Sequence, residues 1–462
     1  MISTFMRNTA NMGIEEFDVF VMGTGTAGKS VAKECVQEGL RVAIADNREF
    51  GGTCANRGCD PKKVLLGLTE IIDRAEKMKG KAITKMPEIS WKDLMKFKKS
   101  FTEAVPAATE KDLKALGIKM YHQSPKFLDE NTLSVEGKTV KAKNIVIATG
   151  NKPLELPIPG RDLPIISDDF LELEELPESM VFIGAGYIGM EFAHMAARCG
   201  VEVTLIDAES RPLGNFDEDM VKYLQKASED IGIKFIFNAR VKEVEKLRTN
   251  YRVKAAQNGK EISVKAKLVI NAAGRVPAID ELDLKKGNIE FSKKGVVVNE
   301  HLQSPTNKSV YACGDVSASE GLPLTPLSSQ EARIVAANIL NKNRSKTVDF
   351  PPQPSVVFTL PNLASVGLNE KQAREKGYDF HVEQKNVPQW FNSKRINDDY
   401  YAFKTLVDKK TGLILGAHLV SAEASEMINM FVMAMCGRLS CETLKGMIFS
   451  YPSWAGDIKF MV

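Results

Sequence analysis

Phe17-Asp18-Val19-Phe20-Val21-Met22-Gly23-Thr24-Gly25-Thr26-Ala27-Gly28 is an apolar run feeding directly into a glycine fingerprint, and it decides how the rest of the chain is read. A buried strand followed by G-x-G-x-x-G and a helix holds a dinucleotide. The glycines permit a tight turn and close backbone approach, and the helix N-terminus favours the pyrophosphate charge. A helix is expected from Lys29 to Glu38 and a strand from Arg41 to Ala45, after which Asp46 stands where a carboxylate accepts from a ribose hydroxyl. The plan recurs at Val181 to Ile183, Gly184-Ala185-Gly186-Tyr187-Ile188-Gly189, a helix to Arg198, a strand Val201 to Ile206, and Asp207. In both copies the acid lies 23 positions after the first glycine. One fingerprint is weak evidence, but two with strand, helix and acid at equal spacing point to an α/β chain with two Rossmann-like dinucleotide-binding domains.

A few residues past Asp46 comes Gly51-Gly52-Thr53-Cys54-Ala55-Asn56-Arg57-Gly58-Cys59-Asp60-Pro61-Lys62-Lys63. Two cysteines beside a nucleotide site read as a redox-active disulfide next to a flavin. In an undistorted helix they would stand ~7.5 Å apart along the axis, beyond the ~7 Å that a disulfide's Cα atoms rarely exceed. A bridge therefore needs a distorted first turn. Gly51, Gly52 and Gly58 give that freedom, and Pro61 is tolerated near a helix start. The competing reading, a metal site or two structural thiols, lacks a second ligand pair and leaves the surrounding Gly, Thr, Asn and Lys without a purpose; no metal ligand is assigned. Because the disulfide follows the first acid, the first copy is expected to hold FAD and the second the hydride donor.

At these residues the chain resembles the class I pyridine nucleotide-disulfide oxidoreductases, the family of glutathione reductase, dihydrolipoyl dehydrogenase and mercuric reductase. Their pattern G-G-T-C-x-N-x-G-C-x-P-x-K is matched at every fixed position. Arg57 and Asp60 replace the usual apolar residues; Arg near a thiol favours the thiolate and Asp opposes it, unless both face solvent. Ile145 to Gly150, Ala272-Ala273-Gly274-Arg275 and Tyr311 to Asp315 match further landmarks in family order. The resemblance implies that Gly23, Gly25, Gly28, Asp46, Gly52, Thr53, Thr149, Gly150 and Asp315 contact FAD, with Asp315 on the ribityl chain. It implies that Gly184, Gly186, Tyr187, Gly189, Asp207 and Gly274 contact NAD(P)H, with Tyr187 covering the nicotinamide pocket. Glu191 corresponds to the glutamate that pairs with the motif lysine, assigned to Lys62, beside the flavin's reactive edge, where a fixed cation favours the reduced ring. By the same resemblance Cys59 faces the flavin and Cys54 exchanges with substrate.

Asp207 bonds a free 2'-hydroxyl and repels a 2'-phosphate, so NADH is favoured over NADPH. Arg211, four residues on, is the opposing signal: an Arg there is within reach of a 2'-phosphate, though at such a place it is more often a solvated surface residue.

At 462 residues several domains are expected. Proline-rich borders at Pro153 to Pro164 and Pro351-Pro352-Gln353-Pro354 divide the chain into an FAD-binding part (1–155), an NAD(P)-binding domain (156–280), a second FAD or central part (281–345) and a C-terminal α+β dimerisation domain (346–462). The last opens with strand-like Val356 to Pro361 and Ala364 to Leu368, then a helical Asn369 to Lys376, and by resemblance makes a homodimer. The net charge of +3, from 62 basic and 59 acidic residues, gives no reason to expect nucleic acid or an anionic membrane as partner. Met1 to Glu16 has no apolar core of signal-peptide length and no run of ~18 apolar residues occurs, so a cytoplasmic protein is expected. Seven cysteines do not make a secreted scaffold, and in a reducing compartment a disulfide is catalytic rather than structural.

The chain departs from the family near its end. Where the disulfide reductases carry H-P-T-x-x-E, supplying the acid-base histidine to the partner subunit's cysteines, this sequence reads Tyr451-Pro452-Ser453-Trp454-Ala455-Gly456-Asp457. None of His122, His194, His301, His381 and His418 lies beyond 418, and His418 reads as a structural strand residue. A phenol of pKa about 10 is a poor proton shuttle at neutral pH. Mercuric reductases also have tyrosine there but add a C-terminal cysteine pair; here Cys436 and Cys441 repeat the spacing without glycines and read as buried thiols. The expected function is a FAD-dependent NAD(P)H oxidoreductase using a Cys54–Cys59 disulfide to reduce a disulfide-type or other small-molecule acceptor. Alternatives are a metal-ion or quinone reductase, and a flavin-bound redox sensor with little turnover.

Overall fold

The computed structural model describes residues 13–341 and 346–462. Backbone contacts divide the chain into two units, the first from Met1–Asp60, Ser100–Lys152 and Arg275–Asp349 and the second from Pro61–Lys99, Pro153–Gly274 and Phe350–Val462.

The first unit is built on a seven-stranded sheet. Strand β1 (Glu15–Met22) pairs in parallel with β2 (Val42–Ala45) on one side and with Lys138–Ile147 on the other, and Val310–Ala312 continues the parallel set. Val42 to Ala45 are all buried, as expected of a strand covered on both faces. The register aligns Met22 with Ala45 and Ile147, and Ile147 with Ala312. Fingerprint, ribose acid, Thr149 and Asp315 therefore all leave the sheet at its carboxyl edge, where ligands bind in such sheets. Helix α1 (Thr26–Gln37) begins three residues earlier than expected, because Gly25 is its N-cap and the fingerprint itself forms the first turn. Its buried stripe Ala27, Val31, Cys35 lies on the sheet.

The second unit repeats the plan with a four-stranded parallel sheet ordered Lys234–Ile236, Glu202–Ile206, Ser179–Ile183, Leu268–Asn271. Ile183 aligns with Ile206 and Asn271, setting Gly184, Asp207 and Ala272 at one edge. A three-stranded antiparallel sheet, Ala239–Lys246, Tyr251–Gln257 and Lys260–Ala266, accompanies it. The C-terminal part is a five-stranded antiparallel sheet with the helix Ala424–Cys436 packed on it through Ala424, Met427, Ile428, Phe431 and Ala434. His418 is the buried strand residue anticipated, its ring nitrogens 3.0 Å from Ser365 Oγ and 3.2 Å from the Leu368 carbonyl. Cys441 is buried, but Cys436 is exposed, which corrects the reading of that pair. It ends its helix off the buried stripe. Among the described residues no helix is long and apolar enough to cross a membrane.

Lys404, 3% exposed, joins the C-terminal sheet to the dinucleotide part of this unit, its ammonium 2.9 Å from Asp217, 2.7 Å from Asp219 and 3.1 Å from Glu370. Burial opposes its charge, but Asp219 and Asp217 outweigh it and hold the lysine above its ordinary range. The hydrogen bond from Lys404 holds Asp219 below the usual carboxylate range. Removing one partner of a buried pair strands the other. Lys404→Met should cost about 3 kcal/mol, the low end of the usual range because Asp219 and Glu370 are partly exposed. Denaturant unfolding at pH 7 measures it. A carboxylate with a depressed folded pKa contributes fully above its unfolded value near 4 and loses the contribution as pH falls through the folded one, so the variant's deficit should shrink in acid.

Candidate active site

Both fingerprints are built alike. Gly23 and Gly184 turn with φ of +104° and +106°, and a Cβ on Gly28 or Gly189 would fall 2.0 or 2.1 Å from the carbonyl oxygen of that same first glycine. Helix α1 and the helix Tyr187–Arg198 start at Gly25 and Gly186 with no side-chain cap, so their leading N–H groups remain for an anion. One carboxylate oxygen of each acid accepts from the fingerprint's second residue: Thr24 N–H to Asp46 at 2.7 Å and Ala185 N–H to Asp207 at 2.5 Å. Uncapped amides, glycine cradles and acids at the strand ends fit a dinucleotide in each unit.

In the first unit the redox motif folds onto the fingerprint. A Cβ on Gly52, whose φ is +78°, would lie 2.3 Å from Gly25 Cα, so no other residue fits this crossing. Helix α2 (Gly52–Arg57) carries Cys54 and ends at Gly58, and helix α3 (Cys59–Lys77) starts afresh at Cys59. The anticipated distortion is thus a full break between the cysteines. Asn56 fastens the turn by donating to the carbonyls of Phe50 and Gly52, both at 3.1 Å. Arg57 does not face solvent: it is 11% exposed and 2.9 Å from Glu49. Asp60 is exposed in the first turn of α3, where a negative charge suits the helix N-terminus.

The thiols meet at Thr325, whose Oγ1 is 3.7 Å from Cys59 Sγ. The hydrogen bond with Cys59 and then burial push the Cys54 thiol well above its ordinary range, while its hydrogen bond to Thr325 opposes them. Thr325 opens the helix Thr325–Leu340, and sequence reasoning missed it; the signal was Thr325-Pro326, proline being favoured in a first helical turn. Glu331, on the same helix, was missed too. It accepts from Gly314 N–H and Ser319 Oγ, each at 2.6 Å, and so fixes the turn that carries Asp315. Burial holds the Asp315 carboxyl above its ordinary range, with Arg275 opposing. Thr149 Oγ1 donates to the Ala278 carbonyl at 2.8 Å, Gly150 accepts from Ala278 N–H at 2.9 Å, and Thr53 is exposed beside the cysteines.

In the second unit Lys62 meets Glu191 at 2.9 Å, with the carboxylate 3% exposed. By strict count the family pattern closes on Lys63, but the ion pair belongs to Lys62. Tyr187 is 52% exposed at the start of its helix. Gly274, at φ +122°, accepts from Leu154 N–H at 3.0 Å. Arg211 is committed elsewhere: its guanidinium donates to the carbonyls of Leu213, Gly214 and Phe216 at 3.1, 2.8 and 3.2 Å, so it holds a loop instead of awaiting a 2'-phosphate.

Tyr451 is 87% exposed, its ring 6.4 Å from that of Phe391. Position 456 is glycine. The carboxylate of Asp457 accepts from Asn392 Nδ2 and Tyr401 OH, both at 3.0 Å, and burial holds it above its ordinary range. No hydrogen-bonded acid-base couple is assembled around Tyr451 from these residues.

Residues 17–332 match the family model of the pyridine nucleotide-disulphide oxidoreductases, and residues 353–461 match the dimerisation domain of the same family. The chain is 29% identical over 446 residues to dihydrolipoyl dehydrogenase of Staphylococcus aureus, covering 95% of this chain and 94% of the relative. It is 30% identical over 449 residues to mercuric reductase of Staphylococcus aureus, covering 96% and 81%. Among solved structures it resembles the Cu(II) complex of a cysteine-to-serine mutant of the HOCl-induced flavoprotein disulfide reductase RclA from Escherichia coli. The TM-score is 0.85 at 28% identity, covering 97% of this chain and 99% of the other.

Taking Asp207 as the acid that reads the ribose, and with Arg211 tied to its own loop, NADH should show a lower apparent KM than NADPH in stopped-flow flavin reduction. Asp207→Ala should narrow the gap. Arg211→Ala should leave the preference in place and lower thermal stability. Faster reduction of the parent by NADPH would contradict this assignment.

Proposed function

Because the chain belongs to the pyridine nucleotide-disulphide oxidoreductase family, whose members use FAD and NAD(P)H, we propose that it carries electrons from NADH through FAD to Cys59 and Cys54 and on to an acceptor with no leaving thiol to protonate, a soft metal ion or a quinone. FAD, when bound, would supply the hydride-accepting and electron-relaying chemistry between nicotinamide and disulfide. The residues do the rest. The helix N-termini and glycine loops bind the two dinucleotides, Lys62 and Glu191 form the ion pair that the family sets beside the flavin's reactive edge, and Thr325 holds the two thiols together.

The observation that carries the choice of acceptor is Tyr451. Reducing an external disulfide gives two thiols, and each departing sulfur needs a proton. The family delivers it from a histidine backed by glutamate. Here the position holds an exposed phenol, glycine replaces the glutamate, and Asp457 is engaged by Asn392 and Tyr401. A metal acceptor instead takes the two electrons alone, as one two-electron ion or as two Cu(II) ions, and the protons of both thiols pass to water as the disulfide re-forms. A mercuric reductase among the relatives and a Cu(II) complex among the structural neighbours support this reading. Thiolate sulfur is the ligand type that soft ions select. A second reading, a disulfide or persulfide that brings its own proton donor, is favoured by the two thiols hydrogen-bonded at Thr325. The dimerisation domain supports a homodimer, and seven cysteines in a chain of this length suit a cytoplasmic setting rather than a secreted disulfide scaffold.

Flavin reduction by NADH should be fast, with ready transfer to Cu(II), quinones or ferricyanide. Turnover of glutathione disulfide and lipoamide should lag by ~10²- to 10⁴-fold, the usual contribution of general acid-base catalysis. Tyr451→His with Gly456→Glu should raise disulfide turnover selectively. Parent turnover of either disulfide at the rate of histidine-bearing relatives would reject the proposal.

A further inference from the structure

Phe358 touches both members of the Lys62–Glu191 pair. Its backbone N–H donates to Glu191 Oε1 at 2.8 Å, while Oε2 of the same carboxylate is 2.9 Å from the Lys62 ammonium. That ammonium also lies 4.4 Å from the centre of the Phe358 ring. An ammonium within ~6 Å of an aromatic centroid is attracted by the ring quadrupole, the more strongly where water is scarce, and the Lys62 side chain is only 15% exposed. The Lys63 ammonium stands at the same 4.4 Å from the ring but leans back toward Glu70 at 3.7 Å, with its side chain 49% exposed. One ring thus holds two adjacent lysines while Glu191 receives only one of them.

The backbone around Phe358 is fixed from the helix that carries Glu191. On that helix, positions 191, 194 and 198 fall on one face at intervals of three and four residues. His194, kept neutral by burial, accepts from Leu360 N–H at 3.4 Å, and Arg198 donates to the Leu360 carbonyl at 2.8 Å. Arg198 also meets Asp73 at 2.7 Å, and Asp73 lies on α3 with Lys62. The circuit closes from α3 through Arg198 and Leu360 to Phe358, then through Glu191 to Lys62. A buried ion pair repays its desolvation only when its geometry is held. We propose that Phe358 is a positioning residue, seating the Lys62 ammonium on Glu191 and keeping Lys63 beside the ring and off the carboxylate. This rests on the assignment of Lys62 and Glu191 to the flavin edge and adds what fixes that charge there.

The test is lysine reactivity, read by mass spectrometry after brief labelling of the holoenzyme with an amine-reactive ester. Phe358→Met conserves volume without a π face, and fluorinated phenylalanines at 358 keep the shape while withdrawing the quadrupole stepwise. In the parent Lys62 should label slowly and Lys63 faster. Lys62 labelling should rise stepwise with fluorination and by roughly two- to tenfold in Phe358→Met, with Phe358→Tyr restoring the parent rate. The flavin midpoint potential should fall in Lys62→Met and part of the way in Phe358→Met. A potential unmoved by Lys62→Met would reject the flavin assignment itself. A potential moved by Lys62→Met, with labelling flat across the Phe358 series, would overturn the role of Phe358.

Discussion

The first unit's chemistry depends on one contact of backbone against backbone. Gly52 crosses Gly25 so closely that a single Cβ would collide with the Gly25 Cα. That crossing brings the redox loop onto the dinucleotide fingerprint, and Thr24 locks it: its hydroxyl donates to Asp46 at 2.6 Å and accepts from Gly51 N–H at 3.1 Å. A buried threonine thus ties Asp46 to the loop bearing the cysteines. With the loop so placed, the break at Gly58 turns two cysteines too distant within one helix into neighbours on two, and Thr325 receives both.

The second unit, taken by itself, holds a fixed charge. Lys62 is paired, shielded by an aromatic ring and tied through Glu191 to a buried network, so its charge needs no solvent rearrangement. Where the family places a proton donor, by contrast, the chain offers a solvent-exposed phenol. On the proposed reading the chain carries the family's cysteine pair and lysine–glutamate pair but not its histidine–glutamate pair, and an acceptor with no leaving thiol to protonate suits that division.

What the sequence made legible was the chemistry that is local in the chain. The fingerprints, their acids and the cysteine motif each lie within a short stretch where glycine geometry and strand periodicity leave few alternatives, and the two sheets follow from them. Thr325, Glu331 and Phe358 were not legible, because long-range packing brings them to the site: Thr325 reaches Cys59 across 266 positions. Arg211 looked like a phosphate ligand only because nothing local showed the carbonyls it would bind. Cys436 looked buried because its helix is apolar on nearly every side, and only the packing of that helix on its sheet shows which face is covered.

The central claim is that Cys54 and Cys59 form a redox couple with the flavin, and anaerobic titration with NADH or dithionite tests it most directly by counting electrons. The parent should take up about four electrons per FAD, two for the flavin and two for the disulfide, and show a long-wavelength thiolate-to-flavin band when half reduced. Cys59→Ser should take up about two, without that band. A parent that stops at two electrons, or a Cys59→Ser variant that shows the same uptake and band as the parent, would contradict the account.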